Sequence, residues 1–349
     1  MSQSSATGLP PVAASNRLTA SAAMTAFVLG IDVGGTKTAA VLFDEADRPV
    51  GRAQVVTPRR GLTDAVIDAA REALAQVPVG AGRLVGVGIA APGQIDVAGG
   101  RIRQAVNLEE GELPIAGMVQ TALGVPCFVE HDARAAAAWL FESPPDKDDY
   151  RMTHIAYLSM GTGISAGIVL DGVPVRGAAG LAGEIGHVSA DPNGPSCGCG
   201  LRGCLEAVAA GPAIERRGRA AVEAGQTTML ADGPVTAEAV FRAAAAGDPV
   251  AASIATEVGA HVARAVRALV LMFGLERVYI GGGVVASGDA FIEPIERELE
   301  RERASSSLIR HAVPAGVIRV VPGDTDPVAH GAAVIARAGI ARMRPRMGP

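Results

Sequence analysis

Short apolar runs and longer segments of helical spacing alternate along the first half of the chain. The runs 26–33 and 38–43 predict two buried strands, and the glycine turn between them indicates a hairpin. The other elements predicted here are helices over 63–77 and 132–141 and strands over 84–90 and 126–130. Strands that alternate with helices in this way indicate an α/β protein.

The second half of the chain repeats this order. Predicted strands at 154–159 and 164–170 again enclose a glycine turn, which indicates an internal duplication of the strand–turn–strand unit. The acidic stretch before them, 143–149 (SPPDKDD), predicts a linker or surface loop. The remaining predicted elements are helices over 235–246, 250–272, 288–303 and 326–342 and a strand over 277–281.

Composition narrows the class of protein. At roughly 150 residues per domain, 349 residues suggest two domains. With 49% hydrophobic and 19% charged residues, the chain is too apolar to be disordered. A net charge of −5 and only 3% aromatic residues argue against bulk capture of nucleic acid and against base-stacking platforms. We therefore expect no nucleic-acid partner.

The N-terminal segment carries no targeting signal that we recognise. Residues 1–25 are rich in Ser and Ala and lack the continuous apolar core of a secretory signal, so we expect a disordered leader. The alternative is that translation begins at Met24. No window reaches the roughly 18 consecutive apolar residues of a membrane span. These features predict a cytoplasmic enzyme with no membrane partner.

The glycine turn after the first strand is the first of three that can bind phosphate. Asp32 ends the strand, and Gly34 and Gly35 let backbone N–H groups face phosphate oxygens without a Cβ in the way. The Asp32 carboxylate can hold a hydrated Mg²⁺, and Thr36 and Lys37 add donors. An ordinary hairpin turn would use the same residues, so this turn alone leaves both interpretations open.

Two further glycine turns follow along the chain. They comprise Gly161, Thr162 and Gly163 at the opening of the second half, and Gly281, Gly282 and Gly283 after the last predicted strand. Neither fits the Walker or the dinucleotide-binding pattern. Three such turns in this order resemble the phosphate-1, phosphate-2 and adenosine motifs of the actin-like ATPase superfamily. The resemblance implies ATP as a ligand.

A candidate metal site lies between the second and third turns. Its four potential ligands are His187, Cys197, Cys199 and Cys204. Four N/S ligands suit tetrahedral Zn²⁺, and a closed set indicates a structural site. The alternative, three unrelated thiols and a surface histidine, is disfavoured by the spacing C-x-C-G-x-x-G-C. We expect zinc to clamp the loop that carries Glu184 and Glu206.

The stretch from Glu184 to Glu206 resembles the signature of the ROK family (repressors, open reading frames and kinases). The likeness also includes DVGGTK at 32–37, APGQID at 91–96, HDARAAA at 131–137 and the GTG turn, and it covers residues 26–342. It implies a two-domain α/β fold of the actin-like ATPase (ribonuclease H-like) class with an interdomain cleft. The expected domains are a small one over 26–135 plus the C-terminal helix 328–345, and a large one over 136–327 with the zinc loop.

The resemblance also implies roles for single residues. Asp132 matches the family's catalytic aspartate, which accepts the proton of a sugar 6-hydroxyl. The alternative role is a helix N-cap, and the two roles need not exclude each other. The positions that bind ring hydroxyls correspond here to Asn107, His131, Glu184, His187 and Glu206. His131 replaces the usual Asn, and Arg134 replaces another Asn, which leaves the preferred sugar open.

The family contains both kinases and repressors. Repressor members carry a winged helix-turn-helix domain first, whereas about 25 residues precede the first turn here. We therefore expect a sugar kinase that uses ATP and Mg²⁺, with a non-catalytic sugar sensor as the alternative. The small residues of 177–183 favour N-acetylglucosamine over glucose if they lie beside C2; otherwise they form a flexible loop. The resemblance implies a homodimer.

Overall fold

The computed structural model describes residues 24–104, 111–323 and 325–343. Its strands are β1 (Thr25–Val33), β2 (Lys37–Phe43), β3 (Pro49–Val56), β4 (Gly82–Ala91), β5 (Gln94–Asp96), β6 (Arg101–Gln104), β7 (Cys127–His131), β8 (His154–Met160), β9 (Ile164–Leu170), β10 (Val173–Pro174), β11 (Arg277–Gly281) and β12 (Ile318–Val320). These strands form two sheets and a separate β5–β6 ribbon.

Helices cover both sheets. The α-helices are α1 (Leu62–Leu74), α2 (Ile115–Leu123), α3 (Asp132–Glu142), α4 (Leu205–Ala209), α5 (Gly211–Glu223), α6 (Ala237–Ala245), α7 (Pro249–Phe273), α8 (Asp289–Ser305), α9 (Ser307–Ala312) and α10 (Pro327–Met343). Short 3₁₀ helices span Lys147–Arg151, Ile185–His187, Met229–Asp232 and Gly283–Ser287. Within the described ranges, no helix is both long and apolar enough to cross a bilayer.

The two sheets share one arrangement, as the repeated sequence pattern predicts. The first has the order β3-β2-β1-β4-β7 and the second β10-β9-β8-β11-β12. In each, the opening strand pairs antiparallel with the next strand and parallel with a later one. The predicted hairpins, β1–β2 and β8–β9, are therefore equivalent units, and each carries a glycine turn at the same place.

Two helices pack between the sheets. α10 contacts β1 and β4 of the first sheet, α3 contacts β8 and β9 of the second, and the two helices pack against each other. Glycine makes these contacts close: a Cβ at Gly88 would lie 1.8 Å from the carbonyl oxygen of Ala332, and one at Gly167 would lie 1.9 Å from that of Ala133. The two sheets are therefore joined through the closely packed pair α3 and α10.

Several predicted boundaries differ from those in the structure. The helix predicted over 63–77 spans Leu62–Leu74, so it ends three residues earlier than predicted; Pro78 disfavours helical backbone only at Val77. The leader predicted over 1–25 overlaps β1, which begins at Thr25, and residues 1–23 lie outside the described residues. The strand β3 has no counterpart among the predictions, because polar side chains on its exposed face interrupt the apolar run.

The acidic segment predicted as a linker is partly buried. Its last residue, Asp149, is 4% exposed and lies in a 3₁₀ helix. The Tyr279 hydroxyl donates to Asp149 Oδ2 at 2.6 Å, and the Arg277 guanidinium lies 2.5 Å from Oδ1. Because the Asp149 carboxylate is buried against Arg277 and Tyr279 of β11, this end of the segment packs against the second sheet.

Candidate functional site

A cleft of about 720 Å³ lies where the turns of both hairpins meet. Its lining includes turn residues from each sheet and side chains from the segment that carries the candidate metal ligands. The predicted site residues among the lining are Gly34, Gly35, Thr36, His131, Asp132, Gly161, Thr162, Gly163, Glu184, His187 and Glu206. The fold therefore brings together residues that are far apart in the sequence.

The first turn is closed by a hydrogen bond from the Gly34 amide to the Lys37 carbonyl, at 2.9 Å. Beside this turn, Asp32 is half-buried near the end of β1. Removal from water, together with the charges of Asp326 and Asp132, raises the pKa of Asp32 to about 8, and Lys37 opposes the shift. A divalent cation would displace the proton that this carboxyl holds at neutral pH.

The second turn is closed in the same way, by the Gly161 amide donating to the Gly163 carbonyl at 3.0 Å. The Glu206 carboxylate lies directly under it, where Oε2 accepts from the Ile164 amide at 3.0 Å. A Cβ at Gly163 would lie 2.6 Å from that oxygen. A side chain at this position would therefore displace the Glu206 carboxylate from beneath the turn.

The third turn lies behind the second rather than on the cleft surface. Gly281, Gly282 and Gly283 are not among the described residues that line the cleft. Gly282 adopts a φ of 99°, and a Cβ there would lie 2.4 Å from the Met160 carbonyl oxygen. The backbone at β11 thus packs directly on the end of β8, next to the second turn. Lys37 and Asp32 also lie outside this lining.

His131 and Asp132 stand where β7 ends and α3 begins. Asp132 is the first residue of the helix, and its Oδ1 accepts from the Ala133 amide at 2.5 Å. The N-cap position belongs to His131, without a side-chain cap, so the N-cap alternative for Asp132 is wrong. The carboxylate of Asp132 faces the cleft.

The imidazole of His131 lies between two carboxylates. It is 3% exposed; its Nδ1 is 3.1 Å from Asp132 Oδ1 and its Nε2 is 3.4 Å from Glu184 Oε1. A neutral imidazole donates from only one nitrogen at a time. Nδ1 has no hydrogen-bond partner among the described residues, so His131 relates the positions of the two acids by packing and close contact.

The four predicted metal ligands form one cluster, with ligand atoms within 4.8 Å of one another. Cys197 Sγ is 3.7 Å from His187 Nδ1, and Cys199 Sγ is 3.7 Å from Cys204 Sγ. Tetrahedral zinc bonds place such atoms about 3.5–3.8 Å apart. The donor set fits zinc, with Nδ1 of His187 as its nitrogen ligand.

The other ring nitrogen of His187 faces the cleft. Its Nε2 lies 3.9 Å from Glu184 Oε2. A metal bound to Nδ1 would leave the proton on Nε2, which then becomes a donor of fixed direction. The metal cluster and the cleft thus share one side chain.

Two positions singled out in the sequence lie away from the cleft surface. The Arg134 side chain is fully buried and is not among the described residues that line the cleft. The loop 177–183 is not among the described lining residues either; the Ala179 carbonyl accepts from Gln94, and the Gly180 carbonyl accepts from Arg134. The loop is neither free nor a wall of the described cleft. Asn107 lies outside the described residues.

Other residues that line the cleft were not predicted as site residues. They are Val33, Arg59, Pro92, Gly93, Ser159, Ile164 and Ser165. Pro92 and Gly93 lie within APGQID, so a sequence signal existed for them. Arg59 follows β3, a strand that the apolar pattern did not predict. No sequence motif therefore marked Arg59 as a site residue.

Comparison with known proteins gives a consistent picture. The sequence profile of the ROK family matches residues 28–338. A glucokinase of Halalkalibacterium halodurans is 32% identical over 78% of this chain and 84% of its own length. An N-acetylmannosamine kinase of Yersinia pseudotuberculosis is 34% identical over 73% of this chain and 82% of its own length.

Solved structures extend the similarity to the fold. The ROK hexokinase of Thermus thermophilus is 32% identical, with a TM-score of 0.71 over 90% of this chain and 99% of that one. The ROK glucokinase of Streptomyces griseus, solved with glucose and AMPPNP, is 28% identical, with a TM-score of 0.74 over 90% and 100%. These similarities confirm the predicted actin-like ATPase fold.

Proposed function

The chain belongs to the ROK family and is a sugar kinase, and we propose that it transfers the γ-phosphoryl group of ATP to the 6-hydroxyl of a hexose. The observation that supports this reaction is the set of residues that line the cleft. The Asp132 carboxylate borders a cleft that is lined by the glycine turns of both sheets and by Glu184, His187 and Glu206. A base in a cleft that offers both phosphate-binding turns and hydroxyl-binding side chains suits phosphoryl transfer.

Asp132 is the proposed general base. As the sugar oxygen forms its bond to the γ-phosphorus, the bond from that phosphorus to the leaving ADP oxygen breaks. The hydroxyl proton passes to Asp132. Oδ1 already accepts from the Ala133 amide and lies beside His131, so Oδ2 is the oxygen that we assign to the proton.

The glycine turns are the proposed phosphate-binding groups. The Gly34 and Gly161 amides already close their turns, so the proposed donors are the backbone N–H groups of Gly35 on one sheet and of Thr162 and Gly163 on the other, all residues that line the cleft. Asp32 lies behind the first turn, where it can hold the hydration shell of Mg²⁺. The bound cation would neutralise charge on the β- and γ-phosphates. Gly281–Gly283, next to the second turn, are the proposed adenosine side.

Sugar recognition is assigned to two acids and one imidazole that line the same cleft. Glu184 and Glu206 accept hydrogen bonds from ring hydroxyls, and His187 Nε2 donates to one. A structural zinc on Nδ1 would keep that proton on Nε2. Directional contacts of this kind align the 6-hydroxyl with Asp132, which supplies much of the rate enhancement in phosphoryl transfer. Asn107, by family resemblance, completes this set.

The choice of sugar rests on the substituent at C2. The sequence-based preference for N-acetylglucosamine required the loop 177–183 to border the sugar, and its packing against Gln94 and Arg134 gives that preference no support. We propose D-glucose as the preferred substrate, because the glucokinase relative covers more of this chain than the N-acetylmannosamine kinase relative. The second candidate substrate is an N-acetylhexosamine, because the N-acetylmannosamine kinase relative has the higher sequence identity to this chain, 34% against 32%.

The test is ADP production from ATP and Mg²⁺ across glucose, mannose, N-acetylglucosamine and N-acetylmannosamine, reported as kcat/KM. A lead for glucose supports the proposal, and a lead for either N-acetylhexosamine supports the second candidate. Binding of a sugar without turnover of any would instead identify a sensor. Asp132→Asn is the control for contaminating kinases, because it removes the proposed base without changing the shape of the side chain.

A further inference from the structure

One buried carboxylate, that of Glu130, stands directly before His131 and Asp132 at the end of β7. Its Oε1 accepts from the Arg134 Nε at 2.9 Å and from the His131 backbone amide at 2.9 Å. Its Oε2 accepts from the Arg176 Nε at 2.8 Å. A buried carboxylate is stable only with such partners. We name Glu130, Arg134 and Arg176 the Glu130 cluster.

The cluster reaches the loop that leads to Glu184. Arg134, whose side chain is fully buried, donates from Nη1 to the Gly180 carbonyl at 3.1 Å and to the Ala182 carbonyl at 3.3 Å. Arg176 stands at the start of the same loop. A single carboxylate therefore joins the strand that presents Asp132 to both ends of the 177–183 loop.

The loop is also held at its far end by glycine packing. Gly183 adopts a φ of 98°, and a Cβ there would lie 1.8 Å from the Ala166 carbonyl oxygen. Its own carbonyl accepts from the Ala166 amide at 2.7 Å. The residue after this contact is Glu184, so the position of its carboxylate follows from the position of the loop.

We propose that the Glu130 cluster positions Glu184 relative to Asp132, and so sets the fit of the sugar without touching it. This inference rests on the proposed function, because it assigns the sugar-binding role to Glu184. Phosphoryl transfer is sensitive to this distance, since misplacement by about 1 Å costs on the order of 100-fold in rate. Arg134 and Arg176 are positioning residues under this proposal.

Arginine suits this role better than lysine. The planar guanidinium of Arg134 contacts Glu130 through Nε and two carbonyls through Nη1, in directions that diverge from one group. A lysine ammonium keeps the charge but has a single donor centre, so it cannot reach both sides. Arg134→Lys should therefore retain the ion pair with Glu130 and release the loop.

The experiment compares Arg176→Met with Arg337→Met. The two arginine side chains are 32% and 33% exposed, and each pairs with a carboxylate, Glu130 and Asp47 respectively. Only the first pair belongs to the cluster. Arg176→Met and Arg134→Lys should raise the sugar KM roughly tenfold while the ATP KM changes by less than about twofold. Arg337→Met should change neither, and zinc content should stay equal in all proteins.

Hydrogen exchange of peptides that cover 177–187 provides the second measurement. Faster exchange in Arg176→Met and Arg134→Lys than in Arg337→Met supports the loop restraint. Equal sugar KM and equal exchange in Arg176→Met and Arg337→Met would overturn the proposal, even if Arg134→Lys fails to fold. If the unmodified protein phosphorylates no sugar, the proposed function fails. The positioning role is then still decided by the exchange data and by sugar affinity measured by calorimetry.

Discussion

The Nε2 atom of His131 lies 3.4 Å from Oε1 of Glu184, and this contact joins the two halves of the site. His131 ends β7 of the first sheet, whereas Glu184 precedes the candidate zinc ligands on a loop after the second hairpin. The proposed base, Asp132, follows His131 directly. Any shift between the sheets would therefore change the geometry of this contact.

His131→Asn should weaken sugar use more than nucleotide use. The amide of Asn is shorter than imidazole, so it would lose the contact with Glu184 from this buried position. Without this contact Glu184 can shift, and misplacement by about 1 Å would lower kcat/KM for the sugar by on the order of 100-fold. Steady-state kinetics with several hexoses would measure this. His311→Asn, at an exposed histidine, is the control; an unchanged kcat/KM for every sugar would remove His131 from the site.

Asp132→Asn should lower kcat by on the order of 100- to 10,000-fold, the usual contribution of a general base. Its sugar affinity, measured by calorimetry, should stay within about threefold of the unmodified protein because shape is kept. Asp248→Asn is a matched control, since that carboxylate also accepts a backbone amide at a helix start, from Ala251 at 2.8 Å. Full activity in Asp132→Asn would assign the proton to another group.

Asp32→Asn should stabilise the metal-free protein, and more so at high pH. Burial raises the pKa of Asp32 from 3.8 to about 8, so between these values the folded chain holds a proton that the unfolded chain has lost. The contribution of Asp32 to the free energy of unfolding therefore falls as pH rises from about 4 to about 8, and then levels off. Asparagine does not titrate and avoids this loss.

Urea unfolding in the presence of a chelator would measure the effect. The difference in free energy of unfolding between Asp32→Asn and the unmodified protein should be larger at about pH 9 than at about pH 5. Comparing the two proteins at each pH cancels the titration of all other groups. An equal difference at both values would mean that Asp32 ionises normally in the folded chain.

Cys199→Ser should release the metal that we expect at the His–Cys cluster. Serine is a poor zinc ligand, and metal binding at a structural site contributes directly to folding. We expect about one zinc per chain before the change, a lower Tm after it, and a larger rise in the sugar KM than in the ATP KM. Elemental analysis and thermal unfolding are the measurements.

Cys127→Ala is the control for this change. Burial raises the pKa of the Cys127 thiol to about 12, so it stays protonated, and it lies on β7 outside the metal cluster. Its removal should leave the zinc content unchanged. Equal zinc in Cys199→Ser and Cys127→Ala would contradict the assignment of Cys199 as a ligand.

Local pattern was enough to predict much of the fold. Hydrophobic periodicity indicated both hairpins and their glycine turns, because strand and turn preferences depend on neighbours in sequence. It did not indicate β3, or the burial of Asp149 against Arg277 and Tyr279, because those depend on partners far along the chain. The candidate zinc ligands were predictable since three of them lie within a few residues of one another.

The sequence by itself determined the family and the sugar kinase class, and it predicted the candidate site residues. Only the tertiary structure decided that Arg134 is buried behind the cleft, that the 177–183 loop is held by Glu130's partners, and that His187 turns Nδ1 toward the thiols. The physical reason is the same in each case. A residue's chemistry is local, but burial, hydrogen-bond direction and distance to a partner arise only when distant segments pack together.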